Sequence, residues 1–154
     1  METSNAHIAE VLNDLVAVNN DRIMGYEQAL KHLKDEDADL RPLFLRMIDE
    51  SRQAKMELGS EVENLKSDIE SGTTAGGKVY LGWMNFKAIF SGHTGHEILQ
   101  SLEHSEDAAQ KAYQQALVEP GIPNFLRELI STQKGALRAC HDEIKASRDQ
   151  VVHA

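Results

Sequence analysis

The sequence predicts an all-α protein, an antiparallel four-helix bundle with a long crossover between its second and third helices. Apolar residues recur at spacings of three, four and seven through four long segments, which is the period of an amphipathic helix. The crossover is predicted because a break after the second segment leaves enough chain to run the length of a bundle. A chain of 154 residues falls in the range of a single domain.

The first two helices are expected at about residues 5–36 and 40–70. Asp39 can cap the second helix, and Pro42 is tolerated in its first turn. The inward stripe of the first helix is Ile8, Leu12, Leu15, Asn19, Tyr26, Leu30 and Leu33. The stripe of the second is Phe44, Met47, Ile48, Ser51, Ala54, Leu58, Val62, Leu65 and Ile69.

The crossover is predicted to carry a short extra helix at about residues 79–91. Glycine-rich residues 71–77 end the second helix, and Val79, Trp83, Phe86 and Phe90 then follow at spacings of four, three and four. This helix would either cover one end or side of the bundle or form a dimer contact, because aromatic side chains concentrate at interfaces.

The last two helices are expected at about residues 95–118 and 124–151, separated by a stop at residues 119–123 that contains two prolines. The first and third helices share a pattern of tyrosine, two polar residues, alanine and leucine that begins at Tyr26 and at Tyr113. The same offset pairs Asn19 with Glu106. Two related helical hairpins would explain this repetition.

Composition excludes several classes of function. Asp and Glu outnumber Lys and Arg by 25 to 16, and a net charge of −9 argues against binding to nucleic acid or to an anionic membrane. No apolar run is long enough to span a bilayer. The start lacks the pattern of a signal peptide, and one cysteine, Cys140, cannot form an internal disulfide, so we expect a cytoplasmic protein. A homo-oligomer is possible, and a protein partner is not identified by the sequence.

An ordered set of motifs resembles a known family. They are Leu12-Asn13-Asp14-Leu15, Asp21 with Gly25-Tyr26, Gly82-Trp83 with Lys87, Glu106-Asp107-Ala108-Ala109 with Tyr113, and Ala139-Cys140-His141-Asp142 with Arg148-Asp149. The set is similar to a bacterial family of four-helix bundles, the domain of unknown function 2383, in the ferritin-like superfamily. The resemblance extends over nearly the whole chain and implies a ferritin-like fold. It supplies no activity, although a stress-related role is a common suggestion for such proteins.

A ferritin-like bundle raises the question of a di-iron centre. That centre takes a Glu from each of two helices and a Glu-x-x-His pair from each of the other two. Here Asn19, Ser60 and Arg138 stand where ligands are sought, and the sequence contains no Glu-x-x-His pair. Amide, hydroxyl and guanidinium groups do not replace those ligands. The sequence therefore predicts a degenerate di-metal site.

Two interpretations of the remaining polar residues stay open. Glu57, Glu106 and His141 could converge on a single divalent ion, Fe, Zn or Mn, with oxidase-like activity. Alternatively, the inward polar residues form a structural network, which we favour because buried polar groups must be paired. That network would contain Asn19, Arg22, Tyr26, Ser51, Glu106, Tyr113, Gln133 and His141.

Three functions follow from these alternatives. The leading hypothesis is a non-catalytic binding or stress-related protein that uses no cofactor. The second is the single-ion metalloprotein. The third is an adaptor that docks through the Trp83 helix. A separate group of His93, His96 and His104 could bind zinc or nickel, but a solvated helix entrance is the favoured interpretation.

Overall fold

A computed structural model of the chain describes residues 4–70 and 95–151, and of residue 151 it describes the backbone alone. The predicted short helix at residues 79–91, with Trp83, lies outside the described residues. The α-helices are α1 (Asn5–His32), α2 (Arg41–Asn64), α3 (Gly95–Val118) and α4 (Asn124–Val151), and a 3-10 helix at Asp35–Leu40 joins α1 to α2. The predicted all-α, four-helix fold is confirmed.

Helix α1 begins and ends at clear local signals. The hydroxyl of Ser4 accepts a hydrogen bond of 3.1 Å from the backbone N–H of His7, which caps the first turn. The helix ends at His32, earlier than residue 36, because Leu33 is extended and the acidic residues that follow form the 3-10 helix. Pro42 lies in the first turn of α2, as expected.

Helix α2 ends at Asn64, short of the predicted residue 70. Lys66 adopts a left-handed conformation with φ of 63°, and the N–H of Ser67 donates to the carbonyl of Val62. This turn resembles the left-handed helix ending that glycine usually forms. Since no glycine marks the position, the helix end could not be located from residue type.

Pairing across the helix interfaces gives the helix directions. Between α1 and α2, Asn20 pairs with Lys55 and Arg22 with Ser51, so the two helices are antiparallel. The same reversal holds between α3 and α4 and between α1 and α3. The pairs that show it are Tyr113 with Gln133 and Asp107 with His141, then Asn19 with Tyr113 and Tyr26 with Glu106. Helices α2 and α3 therefore run in the same direction, the arrangement that a long crossover produces.

The core lies along the inward stripes of all four helices. Helix α1 is the most enclosed, because the four consecutive residues 16–19 are all buried and every side of the helix is covered at that level. Among the described residues, the largest fully buried side chains are Leu12, Leu15, Arg22, Tyr26, Phe44, Met47, Leu58, Ile98, Leu99, Leu102 and Tyr113. Arg22 is the one charged side chain in this list, so a charge lies at the centre of the bundle.

The 3-10 helix also fixes the start of α3. The backbone N–H of Gly95 donates to the carboxylate of Asp37, while burial and the neighbouring Glu36 and Asp39 raise the pKa of that carboxyl. A Cβ atom at position 95 would lie 2.6 Å from Asp37 Oδ1. Glycine is therefore required for this close approach. Within the described ranges, no helix is both long and apolar enough to cross a membrane.

Candidate functional site: a buried ion pair at the bundle centre

Arg22 of α1 and Glu106 of α3 form an ion pair at the centre of the bundle. The Nε and Nη2 atoms of Arg22 donate to Glu106 Oε1 at 2.9 and 2.8 Å. The exposed fractions of the two side chains are 0% and 1%. A charge that is removed from water to this degree is tolerated only when it is paired and hydrogen-bonded.

Two hydroxyl groups extend the ion pair. Tyr26 OH donates to the same Glu106 Oε1 at 2.7 Å, and Arg22 Nη1 donates to Ser51 Oγ. The Arg22 guanidinium also lies 5.7 Å from the centre of the Tyr26 ring, within the range of a cation–π contact. The cluster therefore joins three helices, α1, α2 and α3, around one carboxylate oxygen.

The charges of the cluster are fixed by their surroundings. Burial is the largest single influence and lowers the pKa of Arg22, but attraction to Glu106, Tyr26 and Cys140 together with the hydrogen bond to Glu106 outweighs it and raises the pKa above its ordinary value. Burial and the Glu106 carboxylate raise the pKa of Tyr26 well above its ordinary value. At neutral pH the centre therefore consists of a guanidinium, a carboxylate and a neutral phenol, and the first two charges cancel.

A second chain of hydrogen bonds begins at Asn19 of α1. Asn19 Nδ2 donates to Tyr113 OH at 2.9 Å, and Tyr113 OH donates to Gln133 Oε1 at 2.7 Å. Gln133 Nε2 in turn donates to the Ala54 carbonyl at 3.1 Å and to Glu57 Oε1 at 3.2 Å. Burial raises the pKa of Tyr113 to about 12. These bonds connect α1 and α3 with α4 and α2.

The two tyrosine contacts repeat each other across α1 and α3. Tyr26 of α1 reaches Glu106 of α3, and Tyr113 of α3 reaches Asn19 of α1. These are the positions that the sequence repeat pairs, Tyr26 with Tyr113 and Asn19 with Glu106. The two halves thus meet through an approximately twofold arrangement in which one half has a carboxylate and the other has an amide.

The structure gives different partners to the three side chains that were considered as metal ligands. Glu57 is exposed and contacts Gln133, whereas Glu106 is enclosed by Arg22 and Tyr26. His141 Nε2 lies 2.8 Å from Asp107 Oδ1, and its Nδ1 lies 3.2 Å from Asp142 Oδ1. In the described part of the chain, no three His, Cys, Asp or Glu side chains are grouped so as to hold a metal ion.

The donor set at the centre also does not fit a divalent cation. Glu106 Oε1 accepts three hydrogen bonds, and the adjacent guanidinium would repel a second cation. Two buried oxygens, Glu106 Oε2 and Asn19 Oδ1, accept no hydrogen bond from the described residues. Buried acceptors of this kind are typical partners of internal water.

One contact was not anticipated from the sequence. The Cys140 thiol of α4 lies 2.5 Å from Glu50 Oε2 of α2, and burial raises the pKa of Cys140 far above its ordinary value. Glu50 is exposed and has no special place in the apolar pattern, so no sequence signal marked it. His141 was expected in the central network, but it pairs with Asp107 on the outer part of α3 instead.

Comparisons with known proteins agree with this architecture. The family model described as domain of unknown function (DUF2383) matches residues 7–119. No curated protein matches the chain. Among solved structures, the chain is similar to a mutant of Dps1 from Mycobacterium smegmatis, with a TM-score of 0.76 and 11% identity over 94% of this chain and 96% of that chain. At this identity the likeness shows the fold alone.

Proposed function

The chain belongs to the family described as domain of unknown function (DUF2383) and has a ferritin-like fold, and from this premise we propose that it is a non-catalytic binding protein. Its centre is held by a permanent ion pair in the region where ferritin-like di-metal proteins hold their metals. The proposal includes a bacterial source, a cytoplasmic location and a stress-related role. A single buried cysteine accords with a reducing compartment.

One observation carries the proposal: the Arg22 guanidinium donates two hydrogen bonds to Glu106 Oε1 and neutralises this carboxylate. The only other buried acidic side chain among the described residues is Asp21. The positive charge of Arg22 therefore neutralises the negative charge of Glu106, its ion-pair partner. A di-metal centre requires about four inward carboxylates and two histidines. A centre that is already neutral and enclosed has little affinity for a divalent ion.

Elemental analysis tests the proposal. We expect protein purified without an affinity tag to contain far less than one metal ion per chain, before and after incubation with iron, zinc or manganese and dialysis. Glu106→Gln and the exposed control Glu128→Gln should give the same result. Near-stoichiometric metal that disappears in Glu106→Gln but persists in Glu128→Gln would overturn the proposal.

A single-ion metalloprotein that holds its ion with Glu57, Glu106 and His141 is the second candidate, and one atom supports it. Glu106 Oε2 is a buried oxygen that accepts no hydrogen bond from the described residues, and oxygen atoms are ligands for hard cations. Binding there would require Arg22 to move. Metal uptake that rises in Arg22→Met and is lost in Arg22→Met with Glu106→Gln would favour this candidate.

Docking through the Trp83 helix and self-association are further proposals about binding. Trp83 is the one tryptophan of the chain, so its fluorescence reports on its surroundings alone. A blue-shifted emission that does not change with protein concentration would argue against both. Sedimentation velocity over the same concentrations gives the oligomeric state independently.

A further inference from the structure

Residues 65–70, which follow α2, leave the helical path at one residue with an unusual backbone conformation. Lys66 has a φ of 63° and is the one residue other than glycine with a positive φ in the described chain. The left-handed region is unfavourable for a residue with a side chain, and glycine usually occupies it at a helix end. Such a conformation persists only where surrounding contacts hold it, and it is common in segments that switch.

Two contacts hold the segment against α1 and α2. The side-chain amide of Asn13 donates to the carbonyl of Asp68 and accepts from the backbone N–H of Glu70, both at 2.9 Å. Asn13 therefore pairs with the backbone on either side of Ile69. The Ile69 side chain lies against Gly59 of α2, where an added Cβ atom would come within 3.1 Å of Ile69 Cδ1. We call these two contacts the latch.

The sequence of the segment also suits a longer α2. Leu58 and Val62 lie on the inward stripe of α2 and are fully buried. Leu65 and Ile69 continue that stripe at spacings of three and four residues, the period of an amphipathic helix. In the observed turn, Ile69 remains 41% exposed. The apolar pattern therefore extends beyond the point at which the helix ends.

The turn and a longer helix differ in which interactions they satisfy. The turn has the two Asn13 hydrogen bonds and the Ile69 contact, but it places Lys66 in the left-handed region. A longer helix returns Lys66 to the right-handed region and adds backbone hydrogen bonds, but it gives up the latch. Ser67 and Asp68 are weaker helix formers than leucine or lysine, which limits the advantage of the helix. The gains of each state offset those of the other.

We propose that residues 65–70 form a two-state switch, in which the latch holds the observed turn and its release allows α2 to extend to about residue 70. The extension would lengthen α2 by about 9 Å at 1.5 Å per residue. Because this segment begins the connection from α2 to α3, its state determines the direction in which the chain leaves α2. The inference goes beyond the proposed function, since it does not depend on whether the protein binds metal.

NMR spectroscopy of the isotope-labelled full chain tests the switch, because the Cα chemical shifts of residues 65–70 distinguish a helix from a turn and from a disordered chain. Asn13→Ala removes both hydrogen bonds of the latch and should raise the ratio of helix to turn by roughly tenfold. Asn5→Ala is the matched control, since it makes the same change at an exposed position of α1. It should leave the shifts of residues 65–70 unchanged.

Two substitutions of Lys66 should move the equilibrium in opposite directions. Lys66→Gly accepts the left-handed conformation and disfavours the helix, so it should restore the turn when combined with Asn13→Ala. Lys66→Ala in the same background should increase the helix further, because alanine favours helix and is strained in the left-handed region. Lys66 is exposed, so the core is not altered, and circular dichroism verifies that each variant is folded.

Three results would overturn the inference. Turn-like shifts that persist in Asn13→Ala with Lys66→Ala would identify the turn as a fixed helix end. Shifts of a disordered chain in that variant would mean that the released segment has no second folded state. An equal change in Asn5→Ala would indicate a general loosening of α1 rather than release of the latch. The spectra are recorded without added metal, so their outcome is independent of the elemental analysis.

Discussion

Tyr26 donates a 2.7 Å hydrogen bond to the Glu106 oxygen that already accepts two from Arg22. Three donors therefore converge on Oε1, while Oε2 accepts none from the described residues. The phenol binds the carboxylate that neutralises the guanidinium, so each of the three groups depends on the other two. Substitutions in this cluster should for that reason show strong coupling rather than independent effects.

Glu106→Gln should destabilise the protein by about 3–5 kcal/mol, because the substitution keeps an oxygen acceptor but leaves the Arg22 charge buried without its counter-ion. Urea unfolding followed by circular dichroism measures the change. The exposed control Glu128→Gln should alter the free energy of unfolding by less than about 0.5 kcal/mol.

Replacing both partners, in Arg22→Met with Glu106→Leu, should recover most of the stability that either single change removes, because no uncompensated charge is left. The four proteins form a double-mutant cycle. If the two single effects simply add in the double variant, the ion pair is not the coupled unit that the geometry indicates.

The raised pKa of Tyr113 should make the protein less stable at alkaline pH. Its pKa in the folded protein is raised to about 12, above its ordinary value of 10.0. Between these two values the folded state holds more protons than the unfolded state, so the free energy of unfolding decreases as pH rises through this window. The unfolded state loses its proton first, which favours unfolding at high pH. Tyr113→Phe should reduce that decrease, as measured by urea unfolding at a series of alkaline pH values, and an unchanged pH slope in Tyr113→Phe would contradict the assignment.

The members of the polar network could be predicted from the sequence, but their partners could not. Asn19, Arg22 and Gln133 were recognisable because polar residues on an apolar stripe must find partners inside the core. Which partner each finds was not predictable. His141 was expected to join Glu106 in the core network, but it lies against Asp107, an exposed residue of α3. A difference of a fraction of a turn decides between the two, and helical periodicity does not resolve it.

Helical periodicity alone predicts neither the end of α2 nor the burial of α1 on every side. Lys66 ends α2 in a conformation that glycine usually supplies, so the position carried no composition signal. Val11 and Val18 belong to α1 faces that the stripe did not include, and both are buried. The burial of α1 on every side is a property of the assembled bundle rather than of its own sequence.

Cys140 should react with a thiol reagent only when the protein unfolds. The thiol is 1% exposed, and burial together with the hydrogen bond to Glu50 raises its pKa, so the reactive thiolate is scarce. Labelling with Ellman's reagent in increasing urea should follow the unfolding curve. The variant Cys140→Ser with Ser131→Cys moves the thiol to an exposed position of α4 and should react at once in native buffer. Rapid labelling of native wild-type protein would show that Cys140 is accessible.

Two glycine-to-alanine changes should have opposite effects. In Gly95→Ala the new methyl group would lie 2.6 Å from Asp37 Oδ1, so the carboxylate must withdraw from the start of α3. Loss of this cap should cost about 1 kcal/mol. Gly135 lies inside α4, and a methyl group added there would meet no neighbouring atom within 4 Å, so Gly135→Ala should stabilise the protein by about 0.5–1 kcal/mol.

Asp37→Ala tests whether the loss of stability in Gly95→Ala comes from the loss of the Asp37 cap. If the cost of Gly95→Ala comes from displacing the Asp37 carboxylate, then adding Gly95→Ala to Asp37→Ala should cause little further loss. Thermal unfolding of the four proteins, followed by circular dichroism, measures this. A full additional loss in the double variant would mean that the methyl group meets backbone rather than Asp37, and the 3-10 helix would then position α3 by packing instead of by capping.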